Sequence, residues 1–340
     1  MRELRTRKFG INFCLRQQGA LPMTKKAYRV RNWKDYNNAL IKRGSITLWI
    51  DEESIGAWYE INNHPKKSGR PKKYSDVAIK TILLLKQVYR LTLRSCHGFV
   101  KSLMKLLKLN LEIPSYTQVC RRQESIQLPH MAKSSESIHM VIDASGLKVF
   151  GEGEWKVRQH GWEKHRTWRK LHIGVDEKTR LIVSSALTDR KCGDDKKLPD
   201  LLNQYEGDIH QVSADGAYDS HECFDEITRR NAISTIPTQP NPRHKPKIKK
   251  DIKRPRDEVV WQIQQLGRAE WKKQSGYHRR SLVENAFYRY KQIFGEKLMA
   301  HKLENERTEA LLRCYALNKM TLLGMPVSVP MSSNKECATA

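Results

Sequence analysis

The sequence lacks the features that would place it in a membrane or hold it together by covalent cross-links. Its apolar run at 82–85 is far too short to span a bilayer. Its seven cysteines include no Cys-x-x-Cys pair, so neither a zinc site nor a disulfide framework is predicted. The first 23 residues contain no continuous apolar core of the kind that a signal peptide needs. We therefore expect a protein of the reducing cytoplasm that has no membrane partner.

Acidic residues are scarce relative to basic ones. The chain has 37 Asp and Glu against 63 Lys and Arg, which gives a net charge of +26. A protein with this charge most often binds a polyanion, and nucleic acid is the first candidate. Binding to an anionic membrane surface would need a long amphipathic basic helix with an exposed apolar face, and no segment has that pattern. The length of 340 residues is enough for two domains and a sizeable core.

The first part of the chain is basic and then mainly helical. Met23 is followed by a more regular sequence, so we expect translation to start there and residues 1–23 to be a dispensable or mis-annotated extension. Residues 24–130 are predicted to form an N-terminal, mainly helical DNA-binding region. A short strand is predicted at 45–50, and helices are predicted at about 76–89, 92–107 and 117–126.

Two features of this region point towards DNA, and each has a plainer alternative. Two helices followed by a short third one that carries Arg121 and Arg122 are compatible with a helix-turn-helix, but also with a bundle whose arginines are solvated. The basic segment 64–73 suits either a solvated tether or an arm along DNA phosphates. The charge of the whole chain favours DNA binding in both cases.

From residue 139 onwards the pattern changes to alternating strands and helices. Three strands, a helix, a strand, a helix, a strand and a later helix are the element order of the ribonuclease H-like fold. We therefore predict that residues 131–325 form an α/β ribonuclease H-like core, a mixed five-stranded sheet flanked by helices. A cationic insertion at 241–256 precedes the last helix of the site. Residues 326–340 are expected to be a flexible tail.

Two acidic residues stand at strand positions where packing would favour an apolar side chain. Asp143 lies within the first strand, in VIDASG, and Asp215 ends the fourth, in SADGAYDS. The first and fourth strands are neighbours in a ribonuclease H-like sheet, and Glu284 would come from a helix beside them. Three carboxylates brought together repel one another unless cations neutralise them. The pattern therefore predicts a site for two Mg²⁺ ions, held by these three acids.

The helix predicted at 275–294 carries a polar stripe. Ser275 is placed to cap its start, and Gly295 is placed to end it. Steps of three, four and seven keep four polar residues on one side: Tyr277, Arg280, Glu284 and Lys291. An acid flanked by cations suits a phosphate ester bound with a metal ion, although a charged stripe is also common on a solvated helix face. The opposite side is predicted to anchor the helix to a core through Leu282, Ala286 and Ile293.

These spacings resemble those of the DDE transposases of bacterial insertion sequences. The stripe from Tyr277 to Lys291 matches the signature of the insertion-sequence-four-like superfamily without a gap. The segments VIDASGLKV, VSADGAYDS and GYHRRSLVENAFYRYKQIFG resemble the insertion sequence five group in particular, as does the tryptophan-rich segment at 155–176. The resemblance covers about 139–325 clearly and the helical region before it more loosely.

The resemblance implies a transposase that binds the terminal inverted repeats of its insertion sequence, in the bacterial cytoplasm and at the nucleoid. Asp143, Asp215 and Glu284 would be its catalytic residues and hold Mg²⁺, for which Mn²⁺ would substitute. Water would cut double-stranded DNA at the element ends, and the freed 3′ hydroxyl would attack target DNA by in-line displacement. By the same resemblance, the other three residues of the stripe position phosphates near the cut.

The segment 155–170 adds a further candidate contact with DNA. Trp155, Trp162 and Trp168 stand there among lysines and arginines. They suit either a hairpin extension packed by tryptophans or a DNA clamp that combines stacking with phosphate contacts.

Two other functions are compatible with the same residues. A ribonuclease H-like metal-dependent nuclease would cut DNA without strand transfer, and a non-catalytic repressor of transposition would bind DNA through residues 24–130. Substitution of Asp143 would abolish transposition or nuclease activity and leave repression intact. A strand-joining assay separates the transposase from the nuclease. Because a transposase must bring two DNA ends together, we also expect a homo-oligomer in the synaptic complex.

Overall fold

The structure is a computed structural model that describes residues 28–61, 71–127, 136–150, 168–238 and 254–331. Among these residues, no helix combines the length and the apolar character that crossing a membrane requires. Most of the tryptophan-rich segment, including Trp162, lies outside the described residues. Most of the cationic insertion and of the basic segment 64–73 lies outside them too.

The N-terminal region is helical, as the apolar periodicity predicts. Side-chain caps begin its main helices, since Ser75 and Thr92 accept hydrogen bonds from Ala78 N and Ser95 N. The predicted strand at 45–50 is wrong, because Ile46–Leu48 is a 3₁₀-helix after which Trp49 and Ile50 are both buried. A strand would have turned one of those two side chains outward. The elements are β1 (Tyr28–Val30), α1 (Trp33–Arg43), α2 (Glu52–Gly56), α3 (Asp76–Val88), α4 (Leu93–Leu106) and α5 (Tyr116–Arg122).

A five-stranded mixed sheet follows, in the order β4-β3-β2-β5-β6. Strands β2, β3 and β4 form an antiparallel meander, and β5 and β6 add in parallel on the other side of β2. The predicted neighbour relation between the first and fourth strands of this core is therefore correct. The strands are β2 (Ile138–Lys148), β3 (Trp168–Asp176), β4 (Ile182–Asp189), β5 (Ile209–Ser213) and β6 (Ile233–Thr235).

Helices cover both faces of this sheet. The single helix that the sequence predicts at 258–273 is wrong, because Gly267, with a φ of 79°, breaks it into two. Gly295 ends its helix as predicted, with a φ of 84°. The helices are α6 (Leu198–Asn203), α7 (His221–Arg229), α8 (Pro255–Leu266), α9 (Arg268–Gln274), α10 (Ser281–Phe294) and α11 (Leu303–Leu322).

The N-terminal helices and one face of the sheet share a core. Ile79 and Leu83 of α3 belong to the same buried cluster as Val141, Leu171 and Leu312. Strand β2 alternates, so its Met140 and Ile142 point to the other face and join a second cluster with α6 and α7. The predicted boundary near residue 130 therefore runs through a common hydrophobic core and not between two separate ones.

The two ends of the described chain also meet. Residues Ser328–Pro330 form a seventh strand, β7, that pairs antiparallel with β1. Asn32 reinforces this contact by donating to Met325 O over 3.0 Å and by accepting from Val327 N over 2.7 Å. This part of the segment that the sequence assigns to a flexible tail is thus paired in a small sheet.

Candidate active site

Two of the predicted acids stand side by side at one end of the sheet. Val141 of β2 pairs in parallel register with Ser213 of β5, so Asp143 and Asp215, each two residues further on, lie level with each other. Asp143 points to the same face as Val141, which is the face that α10 covers. Its Oδ1 accepts a hydrogen bond from Ala144 N over 2.8 Å. Asp215 begins a 3₁₀ turn, and its Oδ1 accepts from Ala217 N over 2.9 Å.

The third acid comes from α10, but the helix is built differently from the prediction. Ser275 does not cap it, because Ser275 ends α9 and Gly276, with a φ of 70°, turns the chain. A 3₁₀ turn, Tyr277–Arg280, then leads directly into α10 at Ser281. Glu284 lies in the first turn of α10. The side that packs against the sheet carries Val283, Ala286, Phe287, Tyr290 and Phe294, whereas Leu282 and Ile293 are only partly buried.

Arg280 joins the acids of the strand and the helix. Its Nη1 lies 3.1 Å from Asp143 Oδ2, and its Nη2 donates to Glu284 Oε1. Burial acts to lower the pKa of Arg280, but the neighbouring Tyr277 and the three carboxylates raise it overall. Arg280 is therefore held as a cation at the point where the acids meet.

The carboxylates influence one another across this site. Burial raises the pKa of Asp143, and the charges of Asp215 and Glu284 raise it further. The hydrogen bond from Ala144 N and the charge of Arg280 act in the opposite direction. A buried acid with two acidic neighbours is stabilised in its ionised form by any further cation that enters.

The comparison with known families agrees with this geometry. Two family models, both described as a transposase DDE domain, match the chain, one over residues 41–152 and the other over residues 134–319. The second match covers more than half of the 340 residues. The chain belongs to the DDE transposase family. The transposase is a catalytic polynucleotidyl transferase that acts on DNA, and its five-stranded sheet flanked by helices is the ribonuclease H-like core that the sequence predicts.

DDE transposases generally use divalent metal ions, and the donor set of this transposase suits one. Carboxylate oxygens are the ligands that Mg²⁺ prefers. In the part of the chain that the structure describes, however, no three acidic, histidine or cysteine side chains are close enough to hold one ion together. The guanidinium of Arg280 lies between Asp143 and Glu284, so these two carboxylates already face a positive charge from the protein itself.

The other two residues of the predicted stripe lie beside the acids in different settings. Tyr277 is half-buried, and burial raises the pKa of its phenol, with Asp215 and Asp143 adding to the effect and Arg280 opposing it. Lys272 Nζ lies 4.9 Å from the centroid of the Tyr277 ring. Lys291 lies two turns beyond Glu284 on the same side of α10 and is also half-buried.

The remaining predicted DNA contacts differ in their surroundings. Arg122 donates to Tyr74 O and pairs with Asp76, so its guanidinium fastens α5 to the start of α3. Arg121 is exposed. Trp168 begins β3 and lies against Gly146 of β2, and Lys148 Nζ lies 5.9 Å from its ring centroid. No role of these three residues in DNA binding is visible in the structure of the transposase alone.

Two residues that follow Asp215 closely in the chain are not among the predicted site residues. Asp219 forms a two-pronged ion pair with Arg256 over 2.7 and 2.8 Å, and Ser220 caps α7. Tyr218 is fully buried behind the acids, and burial, followed by the charges of Asp194 and Asp143, raises the pKa of its phenol. The only signal for Tyr218 in the sequence is its position three residues after Asp215.

Proposed function

We propose that this transposase belongs to the insertion sequence five group and moves a bacterial insertion sequence. It binds the terminal inverted repeats, cleaves at the element ends by Mg²⁺-dependent hydrolysis and joins the freed 3′ hydroxyl groups to target DNA. The observation that carries this proposal is that Arg280 contacts both Asp143 and Glu284, while Asp215 lies level with Asp143 beside the neighbouring strand. The three acids come from two neighbouring strands and one helix, and Arg280 and Glu284 have the spacing of the family signature.

Each residue has a distinct role in the proposal. Asp143, Asp215 and Glu284 would hold the metal ions, which lower the pKa of attacking water and neutralise charge on the phosphate when bound. Arg280, once released, binds a phosphate oxygen near the cut, because a guanidinium matches phosphate geometry. Lys291 supplies a second positive charge along the same side of α10, and the phenol of Tyr277 donates a hydrogen bond.

Two further assignments accompany the proposal. DNA contacts outside the cleavage site come from Arg121, which supplies charge, and from the segment that contains Trp162 and Trp168, which supplies stacking. The transposase acts as a homo-oligomer on the paired element ends, since one active site must meet each end.

The decisive experiment joins a labelled duplex that carries the element's own inverted-repeat end to a plasmid in Mg²⁺. Wild type is compared with Asp143→Asn and Glu284→Gln, and Glu222→Gln on the exposed surface of α7 serves as the matched control. We expect joining by wild type and by the control, and a loss of at least roughly a thousandfold in both site variants. Mn²⁺ should support joining, and EDTA should abolish it.

Other outcomes would support the alternatives. Cutting without joining would favour the nuclease, and specific binding to the repeat without any cutting would favour the repressor. Joining that survives both Asp143→Asn and Glu284→Gln would mean that the active site lies elsewhere.

A further inference from the structure

A cavity opens on a different side of α10 from the one that carries Glu284. Its volume is about 320 Å³, and it lies between α10, α1, the turn that connects β3 to β4 and the segment after α11. Asn285 and Arg289 contribute to its wall from α10. At 3.6 residues per turn, they lie roughly 100° and 140° around the helix axis from Glu284. The cavity is therefore separate from the site around Arg280.

Three arginines from distant parts of the chain converge on this cavity. Arg180 and Arg289 line it, and Arg43 at the end of α1 lies next to them with its Cζ 5.8 Å from the centroid of the Tyr36 ring. Burial, followed by the charges of Arg43 and Arg180, lowers the pKa of Arg289 to about 10, and Tyr36 acts in the opposite direction. The effect of Arg43 and Arg180 on Arg289 indicates that both lie near its guanidinium group.

The partners of these arginines are all neutral. Arg289 Nη2 donates to Thr321 Oγ1 over 2.9 Å, and Arg180 Nη1 donates to Pro326 O over 3.4 Å. Nε and Nη2 of Arg43 are buried and have no hydrogen-bond partner within the described part of the chain. None of the described residues that line the cavity is acidic.

Partly buried cations without an acidic partner are costly, because each loses part of its hydration and gains no counter-charge. The cost falls when an anion enters, and a guanidinium cluster is best matched by a phosphate, which accepts paired N–H bonds. The exposed ring of Tyr288 at the edge of the cavity adds an apolar surface beside the charges. These features together describe a built site for a phosphate group.

We propose that this cavity binds a backbone phosphate of the DNA substrate. The assignment rests on the proposed function in one respect, which is that DNA is the substrate. Arg289 follows Glu284 by five residues, about 7.5 Å along the helix axis, on another side of α10. The bound phosphate is therefore a flanking one and not the phosphate that is cut. One helix would thus hold the duplex on one side and the cleavage site on another.

The test measures DNA binding by the full chain with Ca²⁺ in place of Mg²⁺, by fluorescence anisotropy of a labelled inverted-repeat duplex. The double variant Arg43→Gln with Arg180→Gln is compared with wild type and with Arg229→Gln plus Lys273→Gln. The control pair removes the same charge from exposed positions that already have acidic partners. Thermal unfolding establishes first that both variants are folded.

We expect the cavity variant to bind DNA roughly tenfold more weakly in 0.15 M salt, and its slope of log K against log salt to be shallower by about 0.9 for each lost contact. The control pair should change both quantities much less. When Arg180→Lys takes the place of Arg180→Gln in the cavity variant, the charge is kept, and part of the DNA affinity should return. Unchanged affinity and slope in the cavity variant would overturn the proposal.

A second measurement separates DNA from free phosphate. Inorganic phosphate should raise the unfolding temperature of wild type more than that of the cavity variant, because only wild type offers the site. Loss of this protection with unchanged DNA affinity would assign the cavity to a small anion and overturn the DNA assignment. Glu284→Gln should keep the wild-type salt slope while failing to join DNA. Wild type that binds through the cavity but joins nothing would refute the proposed function and leave this inference standing.

Discussion

Arg280 is the residue that connects the strand and the helix of the candidate active site. It stands between Asp143 and Glu284, and its positive charge offsets the repulsion between these two acids. A divalent cation would satisfy the same carboxylates more strongly. Metal binding and the release of Arg280 towards the substrate phosphate are therefore expected to be coupled in the proposed reaction.

Removal of Arg280 should reveal this exchange. In EDTA, Arg280→Gln leaves Asp143 without its partner, and we expect a loss of about 1–2 kcal/mol in the free energy of unfolding. In Mg²⁺ the loss should be smaller, since the ion takes over the role of the guanidinium. Thermal unfolding in the two buffers measures the difference. In Mg²⁺, DNA joining by Arg280→Gln should also fall, because the phosphate contact is lost.

The neighbouring arginine provides the control for this experiment. Arg279 pairs with Glu177 in a more exposed setting, so Arg279→Gln should cost little and respond to Mg²⁺ as wild type does. Equal losses for Arg280→Gln in EDTA and in Mg²⁺ would show that the guanidinium does not occupy the position of a cation.

At the scale of elements, the approach to α10 decides where the site residues point. The chain reverses between α9 and the 3₁₀ turn at Gly276, whose backbone is left-handed with a φ of 70° and a ψ of 18°. The position of Gly276 leaves open space for a Cβ atom, so any cost of a side chain there comes from the backbone conformation alone. Tyr277 and Arg280 follow within one turn, so the backbone turn at Gly276 decides the orientation of the segment that carries them.

Substitution of this glycine should therefore be unfavourable. We expect Gly276→Ala to lower the free energy of unfolding by about 1 kcal/mol and to reduce joining, and Gly276→Asn to lose less, because asparagine tolerates the left-handed region better. Urea unfolding measures both changes.

A second glycine gives the opposite expectation. Gly98 lies inside α4, where a Cβ atom also meets open space. Gly98→Ala should raise the free energy of unfolding by about 0.5–1 kcal/mol through helix propensity. A gain in stability for Gly276→Ala similar to that of Gly98→Ala would mean that the turn before α10 is not strained by a side chain.

At the scale of the whole molecule, the helical region and the sheet stabilise each other. Besides sharing a core, they are joined by polar contacts in which Arg90 donates to the carbonyl groups of Gln292 and Ile293 over 2.7 and 2.8 Å. Arg313 Nε also donates to Gln87 Oε1 over 3.0 Å. Arg90 thereby satisfies carbonyl groups at the end of α10, the helix that carries Glu284.

This organisation predicts one cooperative unit. The full chain should unfold in a single calorimetric transition, whereas residues 131–340 alone should unfold at a temperature lower by roughly 10 °C or more, or aggregate, because α3 no longer covers their apolar face. The unfolding of the complementary fragment, residues 24–130, is measured in the same way. A fragment 131–340 with the unfolding temperature of the full chain would show that the region before it is an independent domain.

The sequence by itself determined the five strands from residue 139 onwards and their order along the chain, the ribonuclease H-like sheet and the end of α10 at Gly295. These predictions follow from local periodicity, from strand order and from the backbone freedom of glycine, which are all properties of residues close together in the sequence. It also indicated Asp143, Asp215 and Glu284 as candidates, because two of these acids stand at strand positions that favour apolar side chains and the third lies in the polar stripe of a helix; their catalytic role stays a prediction.

Only the tertiary structure decided which partners distant residues take. In the structure, Arg280 pairs with Asp143 and Arg122 forms an ion pair with Asp76. The helical region shares a core with the sheet, and Arg43, Arg180 and Arg289 lie in or beside one cavity. Residues 46–48 form a 3₁₀-helix in spite of their strand propensity, because Trp49 and Ile50, which follow them, are both buried. The physical reason is the same in each case: contacts between residues far apart in the chain depend on packing and charge in three dimensions, which no local pattern encodes.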